Sequence, residues 1–303
     1  MGIDQASTRQ VNFIGIGAMR CATTWISRCI EHHPALFIPA GVKEIHFFDK
    51  IRISPGNSER RRLNYEKGLS WYLSFFKDAL PNQLMGEYTP NYFNDAETAG
   101  LIAKHFPQAK LILSLRNPIA RIRSHHQYVC MNHENIPADL GQVIQDRNEE
   151  FLFLENGLYG KNLQEYLNYF PLEQILILFH NDIQSNPVQA CQKLYSFLGV
   201  DDSYLPPTVL QKINTSRAVK SRVILRSMRF AKQSIKKLNW IRRAADFLGG
   251  VTLARWINRL NAGNNRITNS EISPEMLTYL NQYYREDIEL LESLTGEDLT
   301  KWK

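Results

Sequence analysis

The stretch Gly15-Ile16-Gly17-Ala18-Met19-Arg20-Cys21-Ala22-Thr23-Thr24-Trp25-Ile26 gathers two glycines, an arginine and two threonines where an apolar run gives way to a helical pattern. A loop between a strand and a helix turns backbone N–H groups and the positive end of the helix dipole toward an anion. Gly15 and Gly17 permit the turn, Arg20 adds a permanent charge, and Thr23 and Thr24 add hydroxyls, so the loop can hold a phosphate. It is not the usual ATP or GTP loop. No Gly-x-x-x-x-Gly-Lys-Ser/Thr occurs, and Gly15-x-Gly17-x-x-Arg20 lacks the third glycine of the dinucleotide fingerprint. The alternative is a plain strand-to-helix turn. A second group lies further on, where Arg116 follows the apolar run Lys110 to Leu115, Pro118 suits a first helical position, and Ser124 comes nearly two helical turns later. One guanidinium fork and one hydroxyl make a second phosphate site. A structural ion pair for Arg116 and an ordinary helical serine at Ser124 are the alternatives.

These residues need a scaffold that brings them together, and the hydrophobic pattern supplies one. Asn12 to Ile16, Gln83 to Tyr88, Lys110 to Leu115 and Gln174 to Phe179 are short apolar runs that read as strands. Helical patterns alternate with them: from the loop to Pro34, from Asp95 to His105, and from about Pro187 to Leu198, closed by Gly199. Strands apolar throughout, alternating with helices, predict a parallel sheet covered on both faces. Ligands then bind at the carboxyl ends of the strands, where both loops converge. The last helix, about Pro274 to Leu294, has a stripe of Leu277, Leu280, Tyr284, Ile288 and Leu291 that should pack on the core. The chain, 1–303, is expected to be one α/β domain, a central parallel sheet flanked by helices, with a basic helical insertion or lid over approximately 218–266.

Composition narrows the classes. With 44% hydrophobic residues and 11% aromatics, the 303 residues can build a sizeable core. No run approaches the ~20 apolar residues of a membrane span, and MGIDQASTRQ lacks the apolar middle of a signal peptide, so the expected location is cytoplasmic. Cys21, Cys29, Cys130 and Cys191 show neither a Cys-x-x-Cys pair nor metal-ligand spacing, which argues against a disulfide framework and against a structural metal. Cys21 lies inside the loop, where a helix N-terminus can lower its pKa; a small residue filling a tight turn is the simpler reading. The net charge of +6 is concentrated: from Lys212 to Arg266 there are fourteen basic residues and one acid, Asp246. This segment matches no nucleic-acid motif. Trp240, Phe247, Leu248 and Trp256 among its arginines suit a lid, a homodimer surface or a helix lying on a membrane surface.

Four stretches in register, GAMRCATTW (17–25), KEIHFFD (43–49), GEYTPNYF (86–93) and LRNPIARIRSHH (115–126), resemble the sulfotransferases that use 3′-phosphoadenosine 5′-phosphosulfate (PAPS), in their heparan-sulfate-type and bacterial branch. FLGV (197–200), NTSR (214–217) and LTGEDLTKW (294–302) extend the likeness to nearly the whole chain outside roughly 218–266. The resemblance implies a P-loop-containing nucleotide-binding fold and a transferase that needs no metal. It implies that Arg20, Cys21, Ala22, Thr23, Thr24 and Trp25 wrap the 5′-phosphosulfate. Arg116 and Ser124 would hold the 3′-phosphate, and the loop carrying Asn214, Ser216 and Arg217 would close over the nucleotide. The product of PAPS would be adenosine 3′,5′-bisphosphate. A phosphotransferase with a variant loop, and a non-catalytic protein binding anions or membranes through the basic segment, are the competing readings.

Sulfuryl transfer asks a protein to position, to neutralise the leaving phosphate and to take the acceptor's proton. Arg20 stands where the family usually has lysine; it can supply charge but hardly a proton, because its pKa exceeds about 12. If 43–49 is extended, its period of two puts Glu44 and His46 on one face, and Lys43 on the other. The family resemblance implies Glu44 as the base, His46 as its support or substitute, and Lys43 as help for the sulfuryl oxygens; Asp49 can orient a neighbour. His125 and His126 are further candidate bases. Two departures stand out. Ala22 replaces a glycine, which suits only an unstrained backbone, and Tyr88 replaces a lysine near the acceptor, which removes positive charge there. The expected acceptor is therefore a small hydroxylated or carbamoyl-bearing natural product or a neutral sugar, with Phe48, Tyr88 and Tyr92 as candidate walls of its pocket.

Overall fold

The computed structural model of the chain describes residues 10–52, 59–133, 136–211 and 272–303. In chain order its elements begin with β1 (Phe13–Gly17), α1 (Thr23–His32), β2 (Leu36–Phe37), β3 (Ile51–Arg52) and β4 (Arg60–Arg61). Next come α2 (Leu69–Leu73), β5 (Leu84–Tyr88), α3 (Ala96–His105), β6 (Lys110–Leu115), α4 (Pro118–Asn132) and α5 (Leu140–Phe151). The chain continues with α6 (Tyr159–Leu167), β7 (Ile175–Phe179), α7 (His180–Ser185), α8 (Pro187–Leu198) and α9 (Pro274–Thr295).

Five strands form one parallel sheet in the order β2-β5-β1-β6-β7. β1 and β6 are buried nearly end to end, as runs without polar alternation require when helices cover both faces. The four long strands start and stop within a residue of the apolar runs. β2, only two residues long, carries too little pattern to be seen in sequence. Two buried clusters lie on the two faces, one including Ile14, Ile16, Leu111, Leu113 and Leu163, the other Phe13, Ile26, Ile112, Leu176 and Leu194. Of the α9 stripe, Leu280, Tyr284, Ile288 and Leu291 are buried, while Leu277 is partly exposed. Asp287 on the same helix accepts from the amides of Gly160 and Lys161 at the start of α6.

The central position of β1 brings the loop after it beside the loop after β6. The amide of Ala18 donates to the Ser114 carbonyl on β6 at 2.8 Å. α4 begins at Pro118 because Asn117 caps it, its side-chain oxygen accepting from the Ile119 and Ala120 amides.

The glycines of the loop have a different task from the one expected. Gly15 lies inside β1, and a Cβ there would sit 2.2 Å from the Tyr88 ring; at Gly17 it would sit 2.6 Å from Phe93. They allow close packing of β5 and its following turn, not the turn of the loop itself. Gly15→Ala is expected to destabilise the fold by about 1–3 kcal/mol through overpacking, read as a lowered Tm with unchanged far-UV circular dichroism.

The basic segment, including the expected insertion at 218–266, and Asn214, Ser216 and Arg217 lie outside the described residues. Among the described residues no helix is long and apolar enough to cross a membrane.

Candidate active site

At the carboxyl ends of β1, β6 and β7 lies a cavity of about 420 Å³, lined among others by Arg20, Thr23, Thr24, Trp25, Lys43, Glu44, Arg116, Ser124, Tyr128 and His180. The sequence-derived residues Arg20, Ala22, Thr23, Thr24, Trp25, Lys43, Glu44, Arg116 and Ser124 therefore meet at one place.

The turn is made by non-glycine residues in the left-handed region, Arg20 (φ 71°) and Ala22 (φ 68°). Ala22 is also the residue before α1, and no side chain caps that helix; the Trp25 and Ile26 amides donate to the Ala22 carbonyl, so the N–H groups of Thr23 and Thr24 are the ones turned toward an incoming anion. The expected unstrained backbone at Ala22 is thus corrected: this conformation is one that favours glycine. Ala22→Gly is expected to raise stability by up to about 1 kcal/mol, measured by thermal or denaturant unfolding.

Arg20 and Arg116 define the electrostatics. The Arg20 Nε donates to the Ser124 hydroxyl at 3.2 Å, and its guanidinium carbon lies 4.9 Å from the centre of the Tyr128 ring. Ser124 and Tyr128, four residues apart on α4, thus hold the guanidinium from one side. Burial lowers the Arg20 pKa, and the charge of Arg116 lowers it further. Burial likewise lowers that of Arg116, assisted by the charge of Arg121. Among the described residues no acid pairs with either guanidinium, so the ion-pair alternative for Arg116 is not what the fold builds. Two partly desolvated cations without a counter-charge among the described residues, beside a helix start that no side chain caps, are an arrangement suited to an anion.

Trp25 lies at the cavity edge, its indole N–H donating to the Val209 carbonyl at 3.0 Å. Cys21 does not face the cavity: it is fully buried, with its sulfur 3.6 Å from the Tyr159 hydroxyl. Burial raises its pKa, in keeping with the simpler reading of a small residue filling a tight turn.

Residues 43–49 are not extended; His46 sits in the left-handed region at φ 53°, and the segment turns there. Lys43, Glu44 and His46 accordingly meet, where a strand would have put Lys43 on the opposite face. The Lys43 Nζ lies 2.9 Å from Glu44 Oε1, and the His46 Nε2 lies 3.3 Å from Glu44 Oε2. The other ring nitrogen of His46 lies 2.9 Å from Asp49 Oδ2, and Asp49 is buried. Burial opposes the His46 charge, but hydrogen bonds to Asp49 and Glu44 outweigh it and raise its pKa to about 10. Burial also opposes the Glu44 charge, yet His46 and Lys43 hold its pKa at about 2. At neutral pH this is a carboxylate beside an imidazolium. In this arrangement His46 carries the proton and Glu44 is the group left in the ionised form.

Three further expectations are corrected by burial. Phe48, Tyr88 and Tyr92 are at most 1% exposed and do not line the cavity, so they cannot wall an acceptor directly. Phe48 packs edge-on to Tyr92 in an aromatic cluster with Tyr72, and the Tyr88 hydroxyl donates to the Gly17 carbonyl beneath the loop. Because Tyr88 lies there, it says nothing about charge on the acceptor side. Burial, then Arg121, push the His125 pKa well down, and its ring packs on Phe153 at 4.7 Å. His126 makes a 2.9 Å contact to the Pro137 carbonyl, and neither histidine lines the cavity.

The sequence reading missed His180, Tyr128, Met131, Asn132, Pro90 and Asn91 as cavity residues. His180 opens α7 directly after β7, the same kind of position as Arg116 after β6, and the strand-end rule could have found it. Its Nδ1 is buried without a hydrogen-bond partner among the described residues, and burial, then the Arg116 charge, lower its pKa to about 4. Tyr128 follows Ser124 by four residues, so helical spacing marks it once Ser124 is placed.

Comparisons with known proteins agree in kind. The profile of the family described as "Sulfotransferase domain" matches residues 12–289. Mouse heparan sulfate glucosamine 3-O-sulfotransferase 3A1 is 27% identical over 203 residues, covering 65% of this chain and 48% of its own length. Human bifunctional heparan sulfate N-deacetylase/N-sulfotransferase 2 is 28% identical over 213 residues, 65% of this chain and 23% of its own. The chain thus spans about half the length of such curated relatives, or less. A solved sulfotransferase from Alicyclobacillus acidocaldarius superposes with a TM-score of 0.69 at 20% identity, over 97% of this chain and 99% of the other, a likeness of fold.

Proposed function

The chain belongs to the sulfotransferase domain family, and from that premise we propose that it moves a sulfuryl group from PAPS to a hydroxyl, amine or carbamoyl nitrogen of a small-molecule natural product or sugar. The observation that carries the reading is the pair of partly buried guanidiniums, Arg20 and Arg116, with which no acid among the described residues pairs, at a helix start that no side chain caps. The residues fit a nucleotide with two anionic groups: two separate cations, the hydroxyls of Thr23, Thr24 and Ser124, and the His180 Nδ1, unpartnered among the described residues, line one cavity.

PAPS, when bound, supplies the sulfuryl group and a bisphosphate leaving group. Arg20 remains charged throughout and stabilises the departing phosphate electrostatically, since a guanidinium does not give up its proton. Glu44, ionised between Lys43 and His46, takes the proton of the acceptor. His46, fixed by Asp49, keeps Glu44 ionised and aimed. The cavity is also lined by Pro90, Asn91, Tyr128, Met131 and Asn132, and among the described residues its cation besides Arg20 and Arg116, Lys43, is already paired with Glu44. That lining suits an uncharged acceptor better than a polyanion.

The test is incubation of the purified protein with PAPS and a panel of neutral sugars, phenols, amines and carbamoylated compounds, with sulfated product followed by mass. Product from at least one acceptor is expected. Failure to bind either PAPS or adenosine 3′,5′-bisphosphate defeats the proposal.

A further inference from the structure

Glu87, near the end of β5, is a carboxylate 1% exposed that takes no part in the chemistry above. Both of its oxygens are occupied: the Tyr92 hydroxyl donates to Oε1 at 2.8 Å and the Thr89 hydroxyl donates to Oε2 at 2.7 Å. Each hydroxyl also accepts from the backbone of the segment that carries Glu44. Thr89 Oγ1 accepts from the Ile45 amide at 3.1 Å and the His46 amide at 3.4 Å, and Tyr92 Oη accepts from the Phe47 amide at 2.9 Å. A hydroxyl has one hydrogen, so a hydroxyl that accepts from an amide must spend that hydrogen elsewhere. Here both hydrogens go to Glu87. The carbonyls of the same segment are held from other elements, Asn64 donating to Ile45 and His46, and Arg62 and Thr98 donating to Phe48. The left-handed turn at His46 persists because it is held on both sides.

We propose that Glu87 is a positioning residue for the reaction: its ionised carboxylate fixes the direction of the Thr89 and Tyr92 hydroxyls, which hold amides 45–47 and so place Glu44 and His46. A proton on either oxygen of Glu87 turns an acceptor into a donor and displaces one hydroxyl, which then loses its amide. The inference rests on Glu44 being the base.

The groups facing Glu87 are Thr89, Tyr92, the buried hydroxyl of Tyr72 on α2, and the Asp49 carboxylate. Burial raises the Glu87 pKa, the three hydroxyls lower it, and the Asp49 charge raises it, to about 7. Its folded value exceeds the unfolded one, so the native state binds the extra proton between about pH 4.5 and about 7. Stability from this group is lost as pH rises through that window, while the hold on the segment is gained.

Hydrogen exchange of amides 45–47 in the free protein, corrected for intrinsic rates, tests this without an acceptor. Wild type is expected to gain at least about tenfold protection between pH 6 and pH 8 (one unit either side of a pKa changes the ionised fraction about tenfold). Glu87→Gln is expected to remain at the low level throughout, while affinity for adenosine 3′,5′-bisphosphate stays within about twofold. Thr89→Val is expected to release amides 45 and 46 but not 47. With an acceptor from the panel, Glu87→Gln should lower kcat about tenfold or more, leave KM for PAPS unchanged, and erase an acid limb near pH 7. Protection that does not vary with pH in wild type, or that is the same in Glu87→Gln, overturns the proposal; the wild-type series decides even if the variant does not fold. Glu44→Gln keeps wild-type protection at 45–47 in either case, so an error about the base shows in turnover and an error about Glu87 shows in exchange.

Discussion

Arg116→Met is expected to weaken binding of adenosine 3′,5′-bisphosphate about a hundredfold or more, and at the same time to raise the Tm of the ligand-free protein. The two effects have one cause. A charge-assisted contact contributes ~1.5–3 kcal/mol and a bidentate fork somewhat more, and each ~1.4 kcal/mol is tenfold in affinity. In the free protein that same guanidinium is partly desolvated, near Arg121, with no acid among the described residues to repay its burial. Replacing it by an apolar side chain of similar length removes that cost, for a gain on the order of 1 kcal/mol. A structural role for Arg116 makes the opposite forecast, a lower Tm. Calorimetric titration with the bisphosphate, together with melting curves with and without it, separates the two. Retained affinity with a lowered Tm would sink the anion-site reading.

Glu44→Gln is expected to lower kcat by at least about a hundredfold, the range of a lost general base, with PAPS affinity unchanged. The amide that replaces the carboxylate keeps size and hydrogen bonding but cannot take a proton, and the variant also removes one of the two carboxylates that keep His46 protonated. The pH dependence follows from the signs. Glu44, held at about 2, adds stability that is present above about pH 4.5 and lost as pH falls toward 2. His46, raised to about 10, adds stability that is complete below about pH 6.5 and lost as pH rises toward 10. Between those limits neither group titrates, so an acid limb near neutrality belongs to another residue. In Glu44→Gln, nuclear magnetic resonance titration should find the His46 pKa lower than in wild type. Wild-type turnover by Glu44→Gln would falsify the base assignment.

The long elements were legible because their signals are local. A buried parallel strand must be apolar along its length, so β1, β5, β6 and β7 show themselves. Pro118 and Pro187 and the closing Gly199 mark helix ends for stereochemical reasons that need no neighbours. The convergence of Arg20 with Arg116 and Ser124 was legible too, because parallel sheets put successive strand ends on one edge.

The rest depended on contacts between distant segments. Nothing local at Tyr88 or Tyr92 says that one hydroxyl serves the Gly17 carbonyl and the other Glu87. Aromatic residues near an active site read alike whether they line it or lie beneath it. The segment 43–49 alternates like a strand, yet it turns at His46 because Thr89, Tyr92 and Asn64, from other parts of the chain, and Asp49 at its own end satisfy its polar groups in that shape. Protonation states belong to the same class: His46 carries its proton, His125 is pushed toward the neutral form, and Glu87 titrates near neutrality because of burial and neighbours brought by the fold. By itself, then, the sequence determined the family through its motifs, and the sheet and the edge where the two loops converge through periodicity and residue type. Which glutamate lies between Lys43 and His46, which arginine is held by which hydroxyl, and which carboxylate accepts from Thr89 and Tyr92 were decided by tertiary structure, because charge and hydrogen-bond direction are properties of surroundings.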